Sequence, residues 1–299
     1  MAWSLVRTVV GCLLLVLACA QTAPVFAAEG EHRLGQGVNL AVGIGFEAAY
    51  GDYGSSADAT VLTMPFLVMI NPLEALDVTL ELPLVYLNSR SGSGMVVTQS
   101  GGGSGSGSGR GRGMARGGSG MMGGGTTTTT TTVGGGAVTE AGVGDINLTA
   151  GWTLFQDEGY RPRIRPTLYL KVPSGDETRG LGTGTFEGGP GLSLSKWLGD
   201  VQLFGEGAWI LQEHTAAYPG KNYASYSIGA GLQTTDRLFV SLYAKGASRR
   251  VEGGAAPLEG RLKLNFLQSR RIAWEVYAAA GFTDASPAVG GGVLVMYQF

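Results

Sequence analysis

The sequence predicts an all-β chain: a closed antiparallel transmembrane β-barrel of about twelve strands in an up-and-down meander. Three observations predict it. Apolar residues alternate with polar ones in period two along almost the whole chain beyond the first forty residues. Short turns alternate with longer loops. Aromatic residues gather at the two ends of the predicted strands, as amphipathic rings do at membrane interfaces.

The alternation is plain in the first segment, where Leu40, Val42, Ile44, Phe46 and Ala48 share one face and Ala41, Gly43, Gly45 and Glu47 the other. Leu62, Met64, Phe66, Val68 and Ile70 repeat it before a turn at Asn71-Pro72. Read this way, the strands span 37–49, 58–70, 75–88, 142–155, 163–173, 185–196, 201–212, 222–234, 237–248, 256–267, 272–283 and 287–299. Most are near the roughly 9–11 residues that a tilted membrane strand needs. An even count puts both strand termini on one side. The short connections at Asn71–Glu74, Trp197–Asp200, Thr234–Asp236 and Gln268–Arg271 are then periplasmic and the longer ones extracellular. Trp152, Trp197, Trp274, Tyr297 and Phe299 form the periplasmic belt, and Tyr50, Tyr86, Phe186, Trp209 and Phe282 the outer one. A soluble β-sandwich also alternates, but has no reason to place aromatics in two belts.

Residues 1–27 read as a signal peptide. Arg7 supplies the positive charge, Thr8 to Ala20 the apolar stretch, and Val25-Phe26-Ala27 a small-x-small cleavage site. Val16-Leu17-Ala18-Cys19 offers a loose lipoprotein signal as the rival reading. Both cysteines, Cys12 and Cys19, lie inside this leader, so residues 28–299 carry no thiol chemistry. Outer-membrane localisation follows, with lipid and lipopolysaccharide as surroundings. The closing Tyr297-Gln298-Phe299 resembles the terminal strand that barrel-assembly machinery reads.

Residues 89–137 interrupt the rhythm. They are Gly/Ser-rich, carry Arg110, Arg112 and Arg116, and include seven threonines from Thr126 to Thr132. Such a composition cannot bury enough apolar surface to order itself, so it reads as an extracellular low-complexity loop.

Several function classes find no support. The net charge is −2 and the basic residues are scattered, which argues against nucleic acid. The two histidines, His32 and His214, lack a second ligand at metal spacing. Gly43-Ile44-Gly45 with Ala48 matches a dinucleotide fingerprint in text, but sits inside an alternating strand rather than at a helix start. Gly180-Leu181-Gly182-Thr183-Gly184 lacks the Lys-Ser/Thr that would hold a phosphate. No catalytic grouping, metal site or cofactor is expected.

The lumen positions carry the functional expectation. Residues equidistant from a hairpin's centre lie opposite one another. Centring one loop near Glu252 pairs Lys245 with Glu259, and centring the next turn near Ser269 pairs Lys263 with Glu275. Lys171 meets Glu187, with Asp145 on its other side. These pairs read as structural struts worth roughly 0.2–1 kcal/mol each. Arg163, facing Phe155, and Arg261, between Tyr243 and Tyr277, find no acid, nor does Arg165. All three are the expected free lumen cations. Gly43, Gly45, Gly290 and Gly292 lie on the first and last strands and read either as local room for a solute or as relief of strand curvature.

The stretch from Gly142-Val143-Gly144-Asp145 through Val172-Pro173-Ser174-Gly175-Asp176 resembles outer-membrane proteins catalogued under the MetA pathway of phenol degradation. Gly180-Leu181-Gly182-Thr183-Gly184 and Gly191-Leu192-Ser193-Leu194-Ser195-Lys196 continue the likeness, which covers about residues 142–299. Ser174 stands where Thr is expected, and the 89–137 insertion is outside the pattern. The resemblance implies an outer-membrane channel or transporter for small solutes, aromatic or apolar ones among them. It transfers no set of functional residues. The alternative is a structural or adhesive surface barrel without transport.

Overall fold

A computed structural model describes residues 39–53, 58–89, 138–214 and 220–299. The expected leader and nearly all of the low-complexity segment lie outside these residues. The strands are β1 (Asn39–Gly51), β2 (Ala59–Leu73), β3 (Leu76–Ser89), β4 (Val138–Val143), β5 (Ile146–Trp152), β6 (Arg163–Val172) and β7 (Glu187–Leu198). They continue as β8 (Val201–Gln212), β9 (Tyr223–Thr235), β10 (Leu238–Ala247), β11 (Leu258–Leu267), β12 (Ile272–Gly281) and β13 (Val289–Gln298). Chain neighbours pair antiparallel throughout except β4 and β5, which both pair with β3, and β1 pairs with β13 from Ala41↔Gln298 to Tyr50↔Val289. That last ladder closes the barrel.

The barrel has twelve staves, because β4 and β5 are two halves of one. Both lie against β3, β4 along Leu84–Ser89 and β5 along Leu76–Glu81. The sequence reads 142–155 as one continuous strand, and the structure corrects this. Between Glu81↔Asn147 and Val85↔Gly142, β3 advances four residues while its partner advances five. The extra residue is a β-bulge, and it falls opposite Pro83, which has no N–H to give the ladder. Gly144 N–H still donates to the Pro83 carbonyl at 2.9 Å. Across the bulge the inward-facing positions change from even to odd numbers. The Ser174 hydroxyl repairs the break: it donates to the Gly144 carbonyl at 2.8 Å and accepts from Ile146 N–H at 2.9 Å.

The outer face is apolar. Phe46, Met64, Leu168, Leu203, Ile228, Leu242, Leu262 and Val276 all point outward and are exposed. Nine of the ten belt aromatics are exposed on that face or at its ends. Trp197 is the exception and a correction to the sequence reading. It occupies an inward position on β7 and stacks edge-to-face on buried Phe239 at 5.8 Å between centroids. Short connections gather at the end where β2 meets β3, here called the turn end, with residues 153–162 between β5 and β6 as the exception. Longer ones gather at the other, the mouth.

Candidate functional site: the barrel lumen

The inside of the barrel is polar, charged and filled by side chains. Asp77, Arg165, Lys171, Glu187, Lys245, Glu259, Arg261, Lys263 and Glu275 are each less than 10% exposed. Charges withdrawn from water persist only where partners compensate them, and the structure shows how most are compensated.

Nearest the turn end lies the Asp77–Arg165 pair. The guanidinium donates to both carboxylate oxygens, with Nε to Oδ1 at 3.0 Å. The two residues stand on β3 and β6, with β5 between them. Gly151 makes the reach possible, since it lies opposite Asp77 and any Cβ there would fall inside the guanidinium. Arg165 is therefore not a free lumen cation: a glycine on the intervening strand gives it a partner two strands away, where nearest-neighbour arithmetic does not look. Arg163 donates to Thr153 Oγ1 at 3.1 Å and lies opposite Ser195, while Phe155 bridges Ile164. The expected Arg163–Phe155 facing is off by one residue.

Arg261 is also paired. Its Nη2 lies 2.7 Å from Glu259 Oε1, and its Nε 2.9 Å from the same oxygen. Residues two apart on a strand share a face, so the partner sits on Arg261's own strand and escapes cross-strand counting. The guanidinium also lies 4.8 Å from the centre of the Tyr277 ring. Lys245 does stand opposite Glu259 in the ladder, but Arg261 takes that carboxylate's Oε1. Lys263 and Glu275 approach to 3.4 Å, yet diagonally: Lys263 is opposite Tyr277, and Glu275 opposite Asn265. The hairpin centre is Arg270 rather than Ser269, which slides every pair by two positions.

Lys171 lies opposite Glu187 and is ion-paired to it, with Asp145 at 3.2 Å on its other side. Asp145 does more than the sequence suggests. Its carboxylate accepts the backbone N–H of Gly175 at 3.0 Å and of Thr183 at 3.1 Å. Those bonds fold residues 173–186 into the mouth, so that Leu181 is 1% exposed. Its side chain joins an apolar cluster of Tyr53, Val61, Val85 and Leu87. The glycines of this segment permit the close approach. A Cβ on Gly182 would overlap the Asp145 carboxylate, and Gly180 and Gly184 take φ of 71° and 67°. Arg179 reaches Glu140 on β4 at 2.5 Å. Three of the four motifs that carry the resemblance, 142–145, 172–176 and 180–184, are thus one structural unit: a bulge, a hydroxyl that repairs it, and a loop hung on Asp145.

The four wall glycines divide. Gly43 and Gly45 face inward, opposite Met296 and Leu294, whose side chains occupy the space beside them. Gly292 is crowded by Tyr277 and Glu47, whereas at Gly290 the nearest atom to an added Cβ is 3.4 Å away. Gly290 lines a pocket shared with Ala49, Ala279, Glu47, Glu259 and Tyr277. Of the two readings of these glycines, local room fits Gly290, while Gly43, Gly45 and Gly292 are each crowded by a neighbouring side chain.

The sequence reading gave no role to Glu206, Ser225 and Ser227, inward residues on β8 and β9. No grouping of His, Cys, Asp and Glu among the described residues could hold a metal ion.

No family model matches the chain, and no curated protein does. Solved structures do. The COG4313 outer membrane channel from Pseudomonas putida F1 superposes with a TM-score of 0.58 at 12% identity, over 91% of this chain and 100% of that one. The KdgM porin in complex with disordered oligogalacturonate gives 0.48 at 7% identity, over 86% and 99% of the two chains. The NanC porin gives 0.47 at 10% identity, over 86% and 98%. At such identities a likeness establishes architecture and nothing finer. The chain shares the closed antiparallel β-barrel architecture of the COG4313 structure.

Proposed function

We propose that the protein is a narrow outer-membrane channel for small solutes, exported on a cleaved leader and inserted through its closing strand. The observation that carries the reading is a closed barrel with an apolar outside and a charged, side-chain-lined inside. A barrel of about twelve strands falls between eight-stranded ones, whose side chains fill the lumen, and sixteen-stranded ones, which leave a water channel. The lumen's ion pairs favour polar solutes at the waist over the aromatic or apolar ones implied by the resemblance to MetA-pathway proteins. Rings of charged side chains at close quarters are how pores select.

A second reading, a structural or adhesive barrel without transport, is favoured by one observation. Leu181 seals part of the mouth, and the lumen charges are nearly all buried. Conductance of the purified protein in planar bilayers separates the two, because a barrel that is permanently filled stays silent.

A further inference from the structure

We infer that Glu206, Ser225 and Ser227 form a binding station inside the lumen for the ammonium group of a small solute. The inference deepens the channel reading above and rests on it. Glu206 stands on β8 directly opposite Ser227 of β9, and Ser225 lies one inward position closer to the mouth, opposite Ala208. Their exposures are 6%, 4% and 5%. Neither carboxylate oxygen of Glu206 has a hydrogen-bond partner among the described residues, and neither serine hydroxyl has one. Asp77, Asp145, Glu187, Glu259 and Glu275 behave differently, each holding a cationic side chain within 4 Å.

Three adjacent acceptors left without donors, one of them a carboxylate, are costly in a protein interior. A lumen that needed only filling would lose nothing by holding an apolar or paired residue at position 206. Lys245 stands opposite Ser227 on β10, yet neither Glu206 oxygen nor the Ser227 hydroxyl takes a hydrogen bond from it, and the demand for donors that remains specifies the occupant. A primary ammonium carries a positive charge and three N–H donors, one for the carboxylate and one for each hydroxyl. The next inward position on β8 toward the turn end is Phe204, which stacks edge-to-face with Tyr243 at 6.0 Å between centroids. The Tyr243 ring already has the Lys263 ammonium 5.7 Å from its centre, so the Phe204 ring is the aromatic floor of the station, of the kind that attracts cations.

The test uses the full-length protein in planar bilayers bathed in potassium chloride, with methylammonium as the probe. Methylammonium should reduce the potassium current in a concentration-dependent way, and glycerol, a neutral donor, should not. Glu206→Gln should weaken the methylammonium effect about tenfold, the loss expected for a charge-assisted hydrogen bond. It should not lower the thermal stability, because it replaces a buried carboxylate whose oxygens make no hydrogen bond among the described residues. The double variant Ser225→Ala/Ser227→Ala should weaken the effect several-fold and decides the matter if Glu206→Gln fails to insert. Equal methylammonium sensitivity in wild type and variants, with conductance intact, would overturn the station and leave the channel standing. A folded wild-type protein that passes no current would overturn the channel and the station together.

Discussion

The carboxylate of Asp145 accepts the backbone N–H of Thr183 at 3.1 Å, across 38 residues of chain, and so ties the mouth loop to a bulge in the barrel wall. The same carboxylate meets Lys171 and the N–H of Gly175. One side chain thus compensates a buried cation and fixes where the loop enters the lumen. Removing it by Asp145→Ala strands Lys171 with a single acid and frees two amide groups. Loss of one partner from a buried ion pair costs about 3–5 kcal/mol. The variant should unfold at lower denaturant concentration and become cleavable by trypsin at Arg179, read by gel migration of heated and unheated samples. An unchanged midpoint and a resistant loop would contradict the anchoring role.

The glycines make an internal comparison. At Gly151 a methyl group would collide with the Arg165 guanidinium and push it from Asp77, whereas at Gly290 the nearest atom is 3.4 Å away. Gly151→Ala should cost about 1–3 kcal/mol through overpacking, and Gly290→Ala should stay within about 0.5 kcal/mol. Chemical denaturation of the two variants side by side checks the difference. Equal costs would show that the Asp77–Arg165 reach does not depend on Gly151.

Much of this architecture was legible in the residues, and what was not has identifiable causes. Period-two alternation marks the staves because the pleat sends neighbouring side chains to opposite faces. It fails at Gly144-Asp145, where a bulge shifts the inward positions by one residue and leaves no trace in hydrophobicity. Hairpin arithmetic finds Lys171 opposite Glu187, and Lys245 opposite Glu259, because their loops are centred where symmetry puts them. It misplaces Lys263 against Glu275 because that hairpin is centred one residue later. Arg165 and Arg261 look free to any count restricted to directly opposite residues, since one reaches across Gly151 and the other pairs along its own strand. The Gly-rich motifs were visible as text, but their common hub, Asp145, emerges only when the loop is folded back onto it.

The turn at the tip of the mouth loop should respond to acid. Hydrogen bonds to Asp176 from the Thr178 hydroxyl at 2.7 Å and its backbone N–H at 3.0 Å hold this carboxyl below the usual aspartate range. A depressed folded-state pKa contributes stability that is complete above the unfolded value, near 3.9, and is lost as pH falls through the lower folded value. The Glu177–Arg179 turn should therefore hold its order at pH 5 and lose it only well below pH 4. The Thr178 amide resonance in detergent micelles reports this directly. Loss of that order between pH 6 and 5 would contradict the assignment, and Asp176→Ala should abolish the acid transition.

Residues 90–137 should be dispensable for folding. Ser89 and Val138, which flank them, are directly opposite partners in the β3–β4 ladder. A short turn can join two such ends without moving either strand. A protein with residues 90–137 replaced by Asn-Gly should still insert and keep its heat-modifiable gel migration. A variant that is expressed normally but does not insert would show that the segment has a part in assembly.

Conduction through a narrow, charged lumen separates the proposed channel from a filled barrel. Single-channel recording of the purified full-length protein in planar bilayers tests it most directly. A narrow channel should give discrete current steps, smaller than those of sixteen-stranded porins recorded in the same salt, and larger in Asp145→Ala, where the mouth loop is released. A correctly folded, bilayer-inserted protein that gives no steps, with or without Asp145, would contradict it.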